Sequence, residues 1–216
     1  MWDEATINML VQGVVETLYM TIASTAFGYI IGMPIGILLV TSAKDGIRPC
    51  AWLFKTLDVI VNITRSIPFL ILLVAVMPFT KTIVGTSIGS TATIVPLTLS
   101  AAPFIARLVE SSIKEVDKGI IEAAQSMGAS NFKIIYKVML PEAKPSLIVG
   151  SAIASTTILG YSAMAGFVAG GGLGTIAINY GFYRYEKELM FVTVALLVII
   201  VQVMQAIGMK AAGISD

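Results

Sequence analysis

Residues 117–144 read DKGIIEAAQSMGASNFKIIYKVMLPEAK, and they form the longest charged stretch in a chain that is otherwise strongly apolar. The stretch is patterned as two short amphipathic helices. Asp117 can cap the first, its carboxylate accepting free N–H groups of the opening turn. Ile120, Ala123, Ala124 and Met127 follow at the i, i+3, i+4, i+7 spacing of one apolar face, with Lys118, Glu122 and Gln125 opposite. Gly128 ends that helix, as a residue free to take positive φ does. Ser130 can cap the second, where Phe132, Ile135, Val138 and Met139 make the apolar stripe and Lys133 and Lys137 the wet side. Pro141 is expected to close it. One apolar stripe and one polar face per helix describe a piece lying between two surfaces.

The same residues carry a resemblance. Glu122, Ala123 and Ala124, then Gly128, then Val138, Leu140 and Pro141 resemble the EAA loop of ATP-binding cassette importer permeases. That pattern is EAA, three residues, Gly, nine residues, Ile, one residue, Leu-Pro; only Val138 for Ile departs from it. In that family the loop forms coupling helices that dock into a groove on an ATPase subunit. The bland alternative is an ordinary cytoplasmic helical hairpin joining two membrane spans.

Composition agrees with such a setting. Of 216 residues 56% are hydrophobic and 12% charged, where a soluble domain carries about a quarter charged. Mean hydropathy is +0.89, so the chain reads as an integral membrane protein. A net charge of +1 leaves no basic surplus for nucleic acid. The single Cys50 excludes an internal disulfide and a cysteine metal cluster. Histidine, the commonest general base and metal ligand, is absent. The start, MWDEATINML, has no positive n-region and is not expected to be a secretory signal.

Charges frame five expected spans, about 17–41, 59–80, 88–107, 145–165 and 189–209, with the coupling helices at 117–140, all in a single domain over 1–216. Gly28, Gly32 and Gly36 recur every fourth residue in the first span; either they let another helix approach closely or they are merely tolerated. Residues 166–181, GFVAGGGLGTIAINYG, are too glycine-rich for a plain helix and imply a structured loop or a short re-entrant segment. Trp2 and Trp52 are placed to anchor at the membrane interfaces. With five spans, ten basic residues share one side: Lys44, Arg48, Lys55, Arg107, Lys114, Lys118, Lys133, Lys137, Lys144 and Lys210. Lys81, Arg184 and Lys187 lie on the other. The positive-inside rule then puts the 117–144 loop and the C-terminus in the cytoplasm and the N-terminus outside.

Little in the chain reads as an enzyme. GGGLGT at 170–175 lacks the lysine of a phosphate-binding loop. The acids sit mainly in loops and at span ends, where solvated or ATPase-facing roles are expected. Arg65, in TRSIPF at 64–69, is the one charge well inside an apolar stretch. It either lies near the inner mouth of a pathway, clamps a neighbouring span, or snorkels to the interface. In LGYSAMAGFVAGGGLG at 159–174, Tyr161 offers a ring, Met164 a thioether and Ser162 a hydroxyl. Gly166, Gly171 and Gly172 allow close approach of a ligand or a facing subunit. The alternative is a Tyr and a Met facing lipid in a helix that runs into a flexible loop.

GYSAMAG with its GGGLG run is similar to methionine-importer permeases of the same family, as are RSIPF (65–69), VGTSIG (84–89), VPLT (95–98) with APFIAR (102–107), and YGF (180–182). That resemblance implies an all-α type I importer permease with five transmembrane helices in a bacterial plasma membrane. It implies no cofactor in this chain, ATP and Mg being bound by a partner ATPase subunit. It implies also an external methionine-binding protein and methionine of both enantiomers as cargo. Each ATPase needs one docking loop and this chain has one, so a homodimer with two ATPase subunits is expected. The rivals are an importer permease for another amino acid or small amine, an ion-coupled secondary transporter and a membrane enzyme. A secondary transporter would favour a buried ion-site carboxylate or a visible inverted repeat. An enzyme is disfavoured by the missing histidines.

Overall fold

The computed structural model describes residues 3–213, so Trp2 lies outside the described residues. The first helix, α1 (Glu4–Ser42), is 39 residues long, about 58 Å at 1.5 Å per residue. Asp3 caps it, Oδ1 accepting the Thr6 N–H at 2.9 Å. The helix thus starts well ahead of the charge-free run and carries Glu16 within it.

Helix α1 lies along α5 (Ser90–Lys114) in the most extensive packing of the chain. The glycine repeat is the reason. A Cβ on Gly32 would sit 2.5 Å from the Ala102 carbonyl oxygen, and one on Gly36 would sit 2.6 Å from that of Ala106. A Cβ on Gly28 would meet side chains instead, Ala101 Cβ and Ile105 Cδ1, each at 2.8 Å. Lipid gives helices no hydrophobic drive to associate, so backbone approach through small residues supplies the attraction as dispersion. The glycines are close-approach residues.

Between them the chain runs through α2 (Ala51–Ser66), α3 (Phe69–Ala75) and α4 (Met77–Val84). The expected second span is not one straight helix. Pro68 disfavours the helical region at Ile67, which is extended at φ −79, ψ 123, and α2 and α3 bend by 99° there. After α5 come α6 (Lys118–Ser126), α7 (Asn131–Ile134), a π-helical turn (Ile135–Met139) and α8 (Leu140–Glu142). Then follow α9 (Lys144–Met164), a 3-10 turn (Ala165–Val168), α10 (Gly172–Ile176), a second π-helical turn (Ala177–Tyr183) and α11 (Lys187–Ala211).

Among the described residues, four helical stretches are long and apolar enough to cross a membrane, or five if the bent α2–α3 pair counts as one. The chain is an all-helical, multi-pass membrane protein. The core joins α1, α5 and α9 through Met20, Leu97, Ile105, Val109, Ile113 and Ile158. Helix α11 packs on α9 but leaves Phe191, Ile199, Val203 and Ile207 outward, an apolar surface suited to lipid or another chain.

Two details of the 117–144 stretch differ from expectation. Pro141 does not close the second helix, because the wide turn at 135–139 ends with the Leu140 N–H on the Ile135 carbonyl and helical backbone continues past the proline. The apolar face of α6 is also rotated. Ala124 is buried with Ile121 half-buried behind it, whereas Ile120, Ala123 and Met127 are exposed.

Candidate functional site

The 117–144 loop is held rigidly from one side only. Asp117 Oδ1 accepts the Gly119 N–H at 2.6 Å, and Ser130 Oγ accepts that of Lys133 at 3.4 Å. Gly128 turns between the helices at φ +75, a region costly for any side chain. Ala124, Ile134 and Met139 pack down on Val40, Ile113 and Val116. Lys118 Nζ donates to Asp45 Oδ2 at 2.7 Å and ties α6 to the turn after α1. That hydrogen bond holds the Asp45 carboxyl below, and the Lys118 ammonium above, their ordinary values. A cleft of about 310 Å³ lies beneath, floored by Val40, Ile113 and Ile121 and rimmed by Asp45, Lys118 and Glu122.

The other side is bare. Met127 is 81% exposed, Phe132 74% and Tyr136 63%, the two rings stacked at 6.1 Å. Glu122, Ala123, Gly128 and Pro141 are exposed beside them, while Val138 and Leu140 are half-buried. An apolar, aromatic surface of this kind, rimmed by charge, is what a protein partner covers.

The second constellation runs from α9 into the glycine-rich segment. Tyr161 is half-buried and stacks on Phe69 at 4.8 Å with rings nearly parallel. Met164, one helical turn on, is exposed. Ser162 is buried and donates to the Leu159 carbonyl, so its hydroxyl presents no surface. Gly166 lets the backbone pass Gly174, where a Cβ would lie 2.4 Å away. Gly171 and Gly172 take φ +86 and +71 to turn the chain into α10. These glycines serve chain packing and turning.

Arg65 does not sit in mid-span. It is exposed in the last turn of α2, at the 99° corner, its guanidinium 5.9 Å from the Phe104 ring of α5. The contact lies within cation–π range, and the cation stands at a helix C-terminus.

A family model described as the binding-protein-dependent transport system inner membrane component matches residues 28–208. The chain belongs to that family. A Vibrio cholerae protein named probable D-methionine transport system permease protein MetI is 50% identical over 207 residues, 96% of this chain and 92% of the relative. The Escherichia coli protein named D-methionine transport system permease protein MetI is 54% identical over 158 residues, 73% of each chain. A solved structure of the MetNI methionine ABC transporter in an inward-facing conformation matches with TM-score 0.97, 48% identity and full coverage of both chains. An amino acid ABC transporter solved with histidines, at 20% identity and TM-score 0.71, shares the fold. This binding-protein-dependent permease is therefore a membrane transport subunit.

Two acids of this permease, Glu110 and Glu16, meet hydrogen-bond partners within the chain. Glu110 is buried in α5 and pairs with both Arg107 and Lys114, while Arg107 also pairs with Asp58 and Asn62 of α2. The spacing of 107, 110 and 114 along one helix face was legible in advance; the Asp58 partner was not. Glu16 was missed too. Its Oε2 accepts the Gly172 N–H at 2.7 Å, across 156 residues of sequence.

Proposed function

We propose that this permease forms the membrane pathway of an ATP-driven importer of methionine, D- and L-, in a bacterial plasma membrane. It works as a homodimer with two cytoplasmic ATPase subunits and an external methionine-binding protein. The observation that carries this reading is the pairing of a full-length likeness to MetI proteins with a loop locked on one face and bare on the other. The ten-to-three basic asymmetry favours that loop in the cytoplasm, with the N-terminus outside.

The geometry supports a mechanical route. The ATPase groove receives Met127, Phe132 and Tyr136 beside Glu122, Ala123 and Gly128, while Ala124 anchors the helix from beneath. Movement of the bound ATPase pushes the loop, whose backbone stays helical through Val138, Leu140 and Pro141 before one turn at Ala143 and then α9. At the far end of α9, Tyr161 and Met164 line the solute route near the dimer axis, backed by Ser162 and by the turn at Gly166, Gly171 and Gly172. Arg65 braces the corner of α2 against α5. ATP and Mg stay on the partner subunits, and hydrolysis occurs there; the permease supplies the opening, and specificity comes mainly from the binding protein.

The test is uptake into proteoliposomes. Permease with its ATPase, binding protein and internal ATP should accumulate labelled D- and L-methionine, and omission of the ATPase should abolish accumulation. Accumulation driven by an ion gradient alone would overturn the reading.

A further inference from the structure

The segment that turns from α9 into α10 is fastened at four points. Ala169 accepts from the Gly89 N–H at 3.0 Å, and Gly170 accepts from Thr93 Oγ1 at 3.0 Å, both from the start of α5. On the α1 side, Glu16 Oε2 accepts the Gly172 N–H at 2.7 Å and Thr17 Oγ1 accepts that of Leu173 at 2.9 Å. Leu173 is fully buried, and a Cβ on Gly13 would meet Ile176 at 2.6 Å, so α10 is wedged against α1.

The fastenings differ in kind. Thr17 and Thr93 are buried, but Glu16 is half-buried and borders a recess of about 190 Å³ lined by Gln12, Gly171, Gly172 and Thr175. Its other oxygen, Oε1, accepts from Gln12 Nε2 at 2.9 Å. Both oxygens therefore receive donors, and the bond to Gly172 is charge-assisted, the stronger class. The two backward-turned glycines aim a peptide N–H at this carboxylate. No other acid in α1 except Glu4 is present, and Glu4 is three turns away at the start of the helix.

We infer that Glu16 is a positioning residue for transport, the pin that seats the glycine-rich segment against α1 so that the α9–α10 elbow follows the α9 stroke. This rests on the reading of α9 as the solute route. With the pin removed, Gly172 loses its acceptor, α10 separates from α1 at the recess, and the stroke dissipates in the elbow. Substrate capture, which belongs to the binding protein, is left unchanged.

The experiment uses the full chain with its ATPase in a Cys50→Ser background, with Thr175→Cys as the reporter beside the recess. In Glu16→Ala, thiol labelling at 175 should rise about tenfold or more, the effect of losing a charge-assisted hydrogen bond. The maximal rate of uptake should fall by a similar factor, with KM and ATPase association unchanged. Glu16→Gln, whose amide oxygen can accept the same N–H, should recover most of both. Should Glu16→Ala not be recovered from the membrane, Glu16→Asp, which withdraws the carboxylate but keeps the charge, should show the same two changes. Unchanged labelling, or raised labelling with a normal maximal rate, would overturn the inference. Met164→Trp separates the two claims: if it leaves uptake intact the α9 route is wrong, and if it blocks uptake while labelling ignores Glu16 the pin alone is wrong.

Discussion

Lys118 and Asp45 are joined at 2.7 Å between Nζ and Oδ2, a bond that fastens the first helix of the loop to the turn following α1. Both side chains are largely exposed, so the pair is screened by salt and its value lies in orientation more than stability. The loop has apolar anchors at Ala124, Ile134 and Met139, and this is its long-range ion pair.

The pair has a defined pH window. The lowered Asp45 value means its contribution is present above the ordinary carboxylate value of 3.8 and is lost as pH falls through the depressed one. The raised Lys118 value means the contribution is present below 10.5 and is lost as pH rises through the elevated one. Coupling efficiency should therefore show no step attributable to this pair between those limits. Asp45→Lys should lower transport per ATP severalfold, and adding Lys118→Asp should restore it. Failure of the reversed pair to restore coupling would assign the loss to something other than the ion pair.

Gly32→Val should be among the most damaging single changes in the protein. Its Cβ would enter the van der Waals shell of the Ala102 carbonyl, which is backbone and cannot rotate away. Overpacking of this kind costs about 1–3 kcal/mol or more. Thermal unfolding in detergent should show a clear drop in midpoint, whereas Gly160→Ala, with open space around its Cβ, should barely shift it. Equal midpoints for the two variants would mean that α1 and α5 do not pack through this repeat.

Gly128→Leu forces a branched side chain into a left-handed turn, at about 1–2 kcal/mol. The site is exposed, so the membrane fold survives and the strain falls on the angle between α6 and α7. Glu122→Lys changes charge on the same exposed face. Both should leave the permease in the membrane while cutting uptake at least about tenfold, the effect of some 1.4 kcal/mol on coupling. Wild-type uptake by both would remove these residues from the docking face.

Topology follows from the basic residues and is directly measurable. Cys50 is exposed and should react only with a membrane-permeant reagent in intact cells. A cysteine replacing exposed Thr86, in a Cys50→Ser background, should react with an impermeant one. Labelling of Cys50 from outside would invert the orientation and strand the docking face.

How much of this was legible beforehand depends on whether the deciding partner is near in sequence. The membrane class, the glycine repeat and the loop's caps at Asp117 and Ser130 are local patterns and could be read directly. The orientation of α6 could not. Ile120, Ala123 and Met127 make as good an apolar stripe as Ile121 and Ala124, and which one is covered depends on Val40 and Ile113, far away in the chain. The first expected span, 17–41, begins just after Glu16, because a lone carboxylate reads as wet until a distant peptide N–H is seen to meet it. That a proline restricts the residue before it is local chemistry, but the 99° bend between α2 and α3 is not readable from Pro68 alone.

The central claim is that the bare face of the loop carries the ATPase. Phe132→Asp with Tyr136→Asp places two carboxylates there without touching the buried anchors Ile134 and Met139. The measurement is ATPase co-purification with the tagged permease, alongside the permease's own thermal midpoint. The account predicts an unchanged midpoint and loss of at least about nine-tenths of the bound ATPase, as desolvated charge in an interface core requires. Full ATPase recovery with an unchanged midpoint would contradict it.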